Sequence, residues 1–293
     1  MAKTKKKTKI EWTNRTLNPT RGCRKISEGC KACYAEVFAK RFEGTPGPYE
    51  EGFKPRMVPH KLVEPFQWTA AEVVFVNSMS DLFLEDFPDD YVRLGRDVLA
   101  ATPGHTYQVL TKRHDRMREL LSGPFRFAAE LPNVWWGVSV ENKKHGLPRV
   151  DALRETPAMH RFLSVEPLLE DLGDFDLSGV HWVIVGGESA KSKPRVLHPD
   201  WVRRVRDICA AANVPFFFKQ WGGTNKKATG RVLDGRTYDD MPALASAAVP
   251  PRNERMAIAA RVLPPGLLTQ TAATGRTPLS LAGETAEGTC CAE

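Results

Sequence analysis

Apolar and polar positions follow a repeating order from Val73 onward: a short continuous apolar run, a polar cluster, then a stretch of helical period. Such runs at 73–76, 106–110, 134–138, 161–165, 180–185 and 215–219 predict six strands, and 10–13 predicts a seventh ahead of them. Helical spacing is clearest over 34–41, 88–101, 114–121 and 199–213, the last opening on Pro199-Asp200 as a start signal. Strands that are apolar throughout, separated by helices, predict parallel pairing buried on both faces. The fold expected is α/β, a partial parallel β/α (TIM-like) barrel over 10–242, with a doubly wound open sheet as the other solution. Residues 1–9 read as a basic tail and 44–65 as an exposed connector. From 243 to 293 the chain turns Ala-, Pro- and Thr-rich, and a disordered C-terminal extension is expected there.

At 293 residues the chain is long enough for one full barrel core. Its 42 Lys+Arg against 35 Asp+Glu give a net charge of +7, which favours an anionic partner. No apolar segment is long enough to span a bilayer and no signal peptide is recognisable, so no membrane role and a cytoplasmic location are expected. Thiols there stay reduced. Cysteines are then better read as ligands than as disulfides, and Cys209 as packed core.

Three of the six cysteines, Cys23, Cys30 and Cys33, fall within eleven residues as C-x6-C-x2-C in a Gly-punctuated loop. Three thiolates can hold three corners of a metal or iron–sulfur centre and leave the fourth open. Zinc completed by His60 or Cys209, or plain free thiols, are the alternatives. The pair Cys290-Cys291 lies on the expected extension and reads as incidental.

The polar residues that follow the predicted strands form a second signal. They are Asn77, Ser78 and Asp81; Thr111, Lys112 and Arg113; Ser139, Glu141 and Asn142; Ser164 and Glu166; Gly186 to Ser189; and Lys219 to Trp221. Strand C-terminal ends converge on one face in this class of fold. Gathering Glu141, Glu166 and Glu188 beside Lys112, Arg113 and Lys219 costs desolvation energy that a ligand would offset.

Arg21-Gly22-Cys23 with Cys30 and Cys33, Asn77-Ser78-Met79-Ser80-Asp81, Leu110-Thr111-Lys112-Arg113 and Trp136 to Glu141 resemble a phage and bacterial family of unknown function. Leu163 to Leu168, Val185 to Ser189 and Phe218 to Gly222 continue the likeness in the same order. That family carries a three-cysteine motif similar to that of radical S-adenosylmethionine enzymes. The resemblance implies a four-iron four-sulfur cluster on Cys23, Cys30 and Cys33, with S-adenosylmethionine on the open iron. It further implies a deoxyadenosyl radical, an external electron donor and a possible three-cysteine-motif partner protein. Radical enzymes usually space the first two cysteines by three residues, where this chain has six. Their Gly-Gly-Glu element follows the second strand, whereas Gly186-Gly187-Glu188 follows the sixth. The cofactor-binding candidates are therefore Asn77, Ser78 and Asp81, then Ser139 and Glu141, with Glu188 kept on position alone.

The leading functional expectation is a radical S-adenosylmethionine-like enzyme acting on an anionic substrate, such as a nucleic acid or nucleotide. A zinc-stabilised nucleic-acid-binding accessory protein is the alternative, with Arg203, Arg204, Arg206, Lys226, Lys227 and Arg231 as contacts. A third reading is a metal-independent barrel enzyme with Glu141, Glu166 or Glu188 as general base and Lys219 as electrostatic partner.

Overall fold

The computed structural model describes Thr8 and residues 10–191, 193–244 and 247–268. Strands β1 (Arg15–Leu17) and β2 (Thr20–Arg21) lead into the cysteine loop, and α1 (Tyr34–Lys40) follows it. The two-residue β3 (Arg56–Met57) pairs antiparallel with β2, and α2 (Glu64–Gln67) precedes the regular part. That part runs β4 (Val73–Val76), α3 (Asp89–Ala101), β5 (Thr106–Thr111), α4 (His114–Ser122), α5 (Arg126–Ala129), β6 (Val134–Ser139) and α6 (Lys143–Glu155). Then come β7 (His160–Val165), β8 (Trp182–Gly186), α7 (Pro199–Ala211), β9 (Phe216–Gln220), α8 (Lys226–Thr229) and α9 (Arg252–Val262).

Seven strands form one parallel sheet in the order β1-β4-β5-β6-β7-β8-β9, curled into a half-barrel whose two edge strands do not meet. The pleat sends alternate residues to opposite faces. Val76, Val109, Val138, Leu163 and Val183 pack with the helices on one side. On the concave side Phe75, Trp135, Phe162, Trp182 and Phe217 meet one another. The first predicted strand is shifted: β1 is Arg15–Leu17, and 10–13 is a plug instead. Trp12 sits inside the half-barrel with its ring 4.7 Å from Phe75 and 6.1 Å from Trp182. An aromatic at the end of a polar tail buries more area as a plug than on an edge strand.

Other expectations change as well. The 44–65 connector is exposed only in its first half, since Leu62 and Val63 are buried with Phe66 against Tyr91 and Val98. Helix α6 escapes the sequence reading because it contains Pro148. That proline lacks the N–H that would answer the Lys144 carbonyl, yet the helix persists. Asn142 caps it by accepting from the His145 N–H at 2.9 Å, and Arg149 fastens its middle to the Ser139 carbonyl at 2.9 Å. Between β7 and β8 the crossover is an irregular segment whose Leu168, Leu172 and Leu177 are buried where a helix would pack.

The extension expected to be disordered from 243 is corrected for its first part. Helix α9 docks on α2 and α3, with Ala259, Leu263 and Leu267 buried against Leu62, Phe66 and Tyr91. Its Arg255 is buried and donates to the Phe66 carbonyl at 2.9 Å. The helix carries no apolar stripe to announce it, because alanines and charged residues alternate along it, and so it is concealed in a low-complexity stretch. Residues 269–293, with Cys290-Cys291, and residues 1–7 of the basic tail lie outside the described residues. Among the described residues no helix is long and apolar enough to cross a membrane.

Candidate functional site

The C-terminal ends of the strands open into a cavity of about 480 Å³. Its wall includes Asn77 after β4, Lys112 after β5, Ser139 from β6, Glu166 after β7, Glu188 after β8 and Lys219 from β9. Trp12, Phe75 and Leu110 line its apolar depth, and Cys23, Cys30 and Cys33 all face it from the loop above. A volume of this size suits a cofactor or small ligand.

The cysteine loop is held to the barrel at several points. Gly22 takes the left-handed conformation, φ +71°, where a Cβ would stand 2.1 Å from the Lys54 carbonyl oxygen. Its N–H donates to the Met79 carbonyl at 3.1 Å, and Ser80 Oγ donates back to the Gly22 carbonyl at 2.6 Å. At the far end of the loop Asn142 Nδ2 donates to Glu28 at 2.8 Å. Tyr34, next to Cys33, donates its hydroxyl to the Ser78 carbonyl at 2.5 Å.

The three thiols differ in electrostatics. Burial pushes Cys23 up to about 12, reinforced by Asp81 and opposed by Arg113. Arg113 Nη1 donates to its sulfur at 3.4 Å. Burial raises Cys33 too. On Cys30 burial is outweighed by Lys112 and by hydrogen bonds around Ser27, and the thiol lies below its ordinary value. Among the described residues Lys112 makes no ion pair, so its charge stays available to the cavity.

Most sequence-derived candidates are brought together here, with distinct occupations. Asp81 is 5% exposed and fully engaged: it accepts from Thr111 Oγ1 at 2.6 Å, Lys112 N at 2.9 Å and Phe83 N at 3.1 Å, and pairs with Arg113 at 3.3 Å. Asn77 donates to Thr20 Oγ1 at 2.6 Å, and its buried Oδ1 has no partner. Ser78 is turned to Asn18, 3.1 Å away. Glu166 accepts from Ser164 Oγ at 3.3 Å and pairs with Lys219 at 2.9 Å. Gly186 makes room for that carboxylate, since a Cβ there would stand 2.3 Å from Glu166 Oε1. Glu188 pairs with Arg195, whose backbone N–H and Nε each reach it at 3.0 Å. Burial raises the Glu188 carboxyl, and the Arg195 hydrogen bonds outweigh it and hold it below the usual range.

Glu141 is taken out of the cavity. It is fully buried behind the wall and paired with Arg149 at 2.5 Å, which makes it a strut between β6 and α6. The basic helix face is likewise spent: Arg203 and Arg206 share Asp234, and Arg204 pairs with Asp171 at 3.0 Å. Sequence reasoning missed Arg149 and Arg195, whose partners Glu141 and Glu188 lie eight and seven residues earlier, the first pair joining the end of β6 to α6 and the second lying within the segment between β8 and α7. It named Gln220 without a role. The amide of that residue donates to Ser189 Oγ at 2.7 Å, while its buried Oε1 is unpartnered and the side chain lines the cavity.

Fold and site together define an α/β half-barrel protein whose strand ends and a three-cysteine loop enclose one polar-rimmed cavity. The chain belongs to the family described as "Protein of unknown function (DUF5131)", whose model matches residues 7–242. No curated protein matches it. Among solved structures, a point variant of spore photoproduct lyase is similar at 11% identity and a TM-score of 0.38, over 84% of this chain and 72% of its own.

Proposed function

We propose that the protein is an iron–sulfur enzyme of the radical S-adenosylmethionine type that acts on an anionic substrate, with Cys23, Cys30 and Cys33 as cluster ligands. The observation that carries this reading is that three thiols of one loop open into a single cavity at the strand ends. The donor set fits the group. All three donors are cysteine sulfurs of one loop that line the same cavity, and an all-thiolate set with one corner left open is the ligand chemistry of an iron–sulfur centre.

When bound, such a cluster and S-adenosylmethionine supply a reductively generated carbon radical able to take hydrogen from an unactivated C–H bond, the electron coming from an external donor. The residues of this chain hold and shield. Lys112 offsets the negative charge of the thiolates at Cys30 and Cys33. Asn77 Oδ1 and Gln220 Oε1 are buried acceptors that wait for N–H or O–H donors of a ligand. Glu166 and Lys219 form a fixed dipole at the mouth, and Trp12, Phe75 and Leu110 keep water from the cavity floor.

The test is anaerobic reconstitution with iron and sulfide, followed by electron paramagnetic resonance of the reduced protein with and without S-adenosylmethionine. A cluster signal that shifts on adding the ligand, and that is lost in Cys30→Ala, is the expected result. Tight stoichiometric zinc in a colourless protein, or full cluster retention in Cys30→Ala, overturns the reading.

A further inference from the structure

Helix α1 carries its apolar side chains on the unexpected side. Ala35 and Ala39 are buried against the body, whereas Tyr34, Val37, Phe38 and Phe42 stand exposed. A surface helix ordinarily turns its bulky apolar residues inward, and contiguous exposed apolar surface marks an interaction site. Tyr34 and Phe38 stand one turn apart on this face, about 6 Å from each other, and Phe42 continues the strip from the turn that follows the helix. The Phe38 ring lies 5.2 Å from Phe42 and 5.3 Å from Tyr49, which stands edge-on to it. Tyr34 belongs both to this strip and to the wall of the cavity.

Charge tells what the strip would meet. Residues 21–56 carry eight basic against five acidic side chains. Lys25 and Lys40 share Glu36 with their own side chains 50% and 60% exposed, and among the described residues Lys31 and Arg41 make no ion pair. Lys112 carries the cations on to the cavity, while Lys219 and Lys226 there are paired with Glu166 and Glu11. Two copies of this chain would oppose like charges across such a face. Exposed rings interleaved with cations instead match single-stranded nucleic acid, where bases stack on aromatic faces and cations track the backbone.

We propose that the aromatic face of α1 is a stacking platform for single-stranded nucleic acid and leads one nucleotide past Tyr34 into the cavity. This adds a substrate class to the site and rests on the proposed function for its chemistry, although the binding itself needs no cluster.

The experiment is fluorescence anisotropy of a labelled oligothymidylate of about fifteen nucleotides, a length that covers one ordinary site, with the full-length chain over a range of salt. Binding that weakens with salt and exceeds binding to a duplex is expected, with Phe38→Ala and Phe42→Ala each weakening it roughly tenfold. Phe38→Trp should keep it. Both positions are exposed, and unchanged thermal melts establish that each of the three variants is folded. Cys30→Ala should still bind, which separates this proposal from the cluster assignment: a protein that assembles its cluster yet ignores the oligonucleotide refutes the platform alone. Absence of binding at low salt, wild-type affinity in folded Phe38→Ala, or a dimer that Phe38→Ala dissociates would each overturn it.

Discussion

Lys219 Nζ lies 2.9 Å from Glu166 Oε1 and 3.2 Å from Oε2, which ties the end of β9 to the end of β7 across Gly186 of the strand between them. Both side chains are largely buried, at 17% and 14% exposure. Lys219→Met leaves a largely buried carboxylate without its cation and should destabilise the protein by about 2 kcal/mol, between the cost of a surface pair and that of a fully buried one. The double variant Lys219→Met with Glu166→Gln should recover part of that loss. Urea unfolding midpoints at neutral pH measure both, and additive losses would mean the pair is not coupled.

Asp81 gathers the loop after β4, the start of the β5 loop and Arg113 on one carboxylate. Replacing it with Ala takes the buried counter-charge from an arginine that is 3% exposed, leaving it Glu85 at 3.5 Å, and frees the N–H groups of Phe83 and Lys112. The expected cost is about 3 kcal/mol. Chemical denaturation reads it, and Asp81→Asn should fall between the wild type and Asp81→Ala.

Acid should weaken the protein through His105. Burial lowers its pKa from 6.5 to about 4, helped by Arg15 and Arg255 and opposed by its hydrogen bond to the Pro65 carbonyl. Between those values the unfolded chain holds a proton that the folded one does not, so stability falls as the pH drops from about 6.5 to about 4. The contribution at stake is about 3 kcal/mol at most. Urea unfolding of wild type and His105→Gln across that range tests it: the variant should show a shallower decline.

Helix α9 lies beyond the family match yet completes a core with α2 and α3. A chain ending at Pro242 would expose Leu62, Phe66 and Tyr91, and should melt earlier or aggregate. Arg255→Ala, which removes a buried charged donor, should cost about 2 kcal/mol and lower the melting temperature by roughly 4–8 °C. Scanning calorimetry decides. An unshifted melt would mean that the helix is an ornament.

The parallel series was legible because strands covered on both faces must be apolar throughout, and 73–76 and 134–138 announce that without any tertiary information. The polar strand ends were legible for the same reason, as abrupt changes after each run. What could not be read were the partnerships. Glu141 and Glu188 look alike in sequence, and only the positions of Arg149 and Arg195 separate a strut behind the wall from a carboxylate facing the cavity. Pro148 masked a helix whose support comes from β6. Trp12 reads as a strand residue because a plug and a strand present the same short apolar signal.

β1 and β9 are the unpaired edges of the sheet, and side chains rather than backbone span the interval between them: Trp12 stands inside against Phe75 and Trp182, and Lys226 after β9 reaches Glu11 ahead of β1 at 3.4 Å. The wall therefore has six seams stitched by backbone ladders and a seventh fastened only by an exposed ion pair and a plug. Such a fastening costs far less to undo than a buried ladder. If the wall yields anywhere, it yields along that seventh seam.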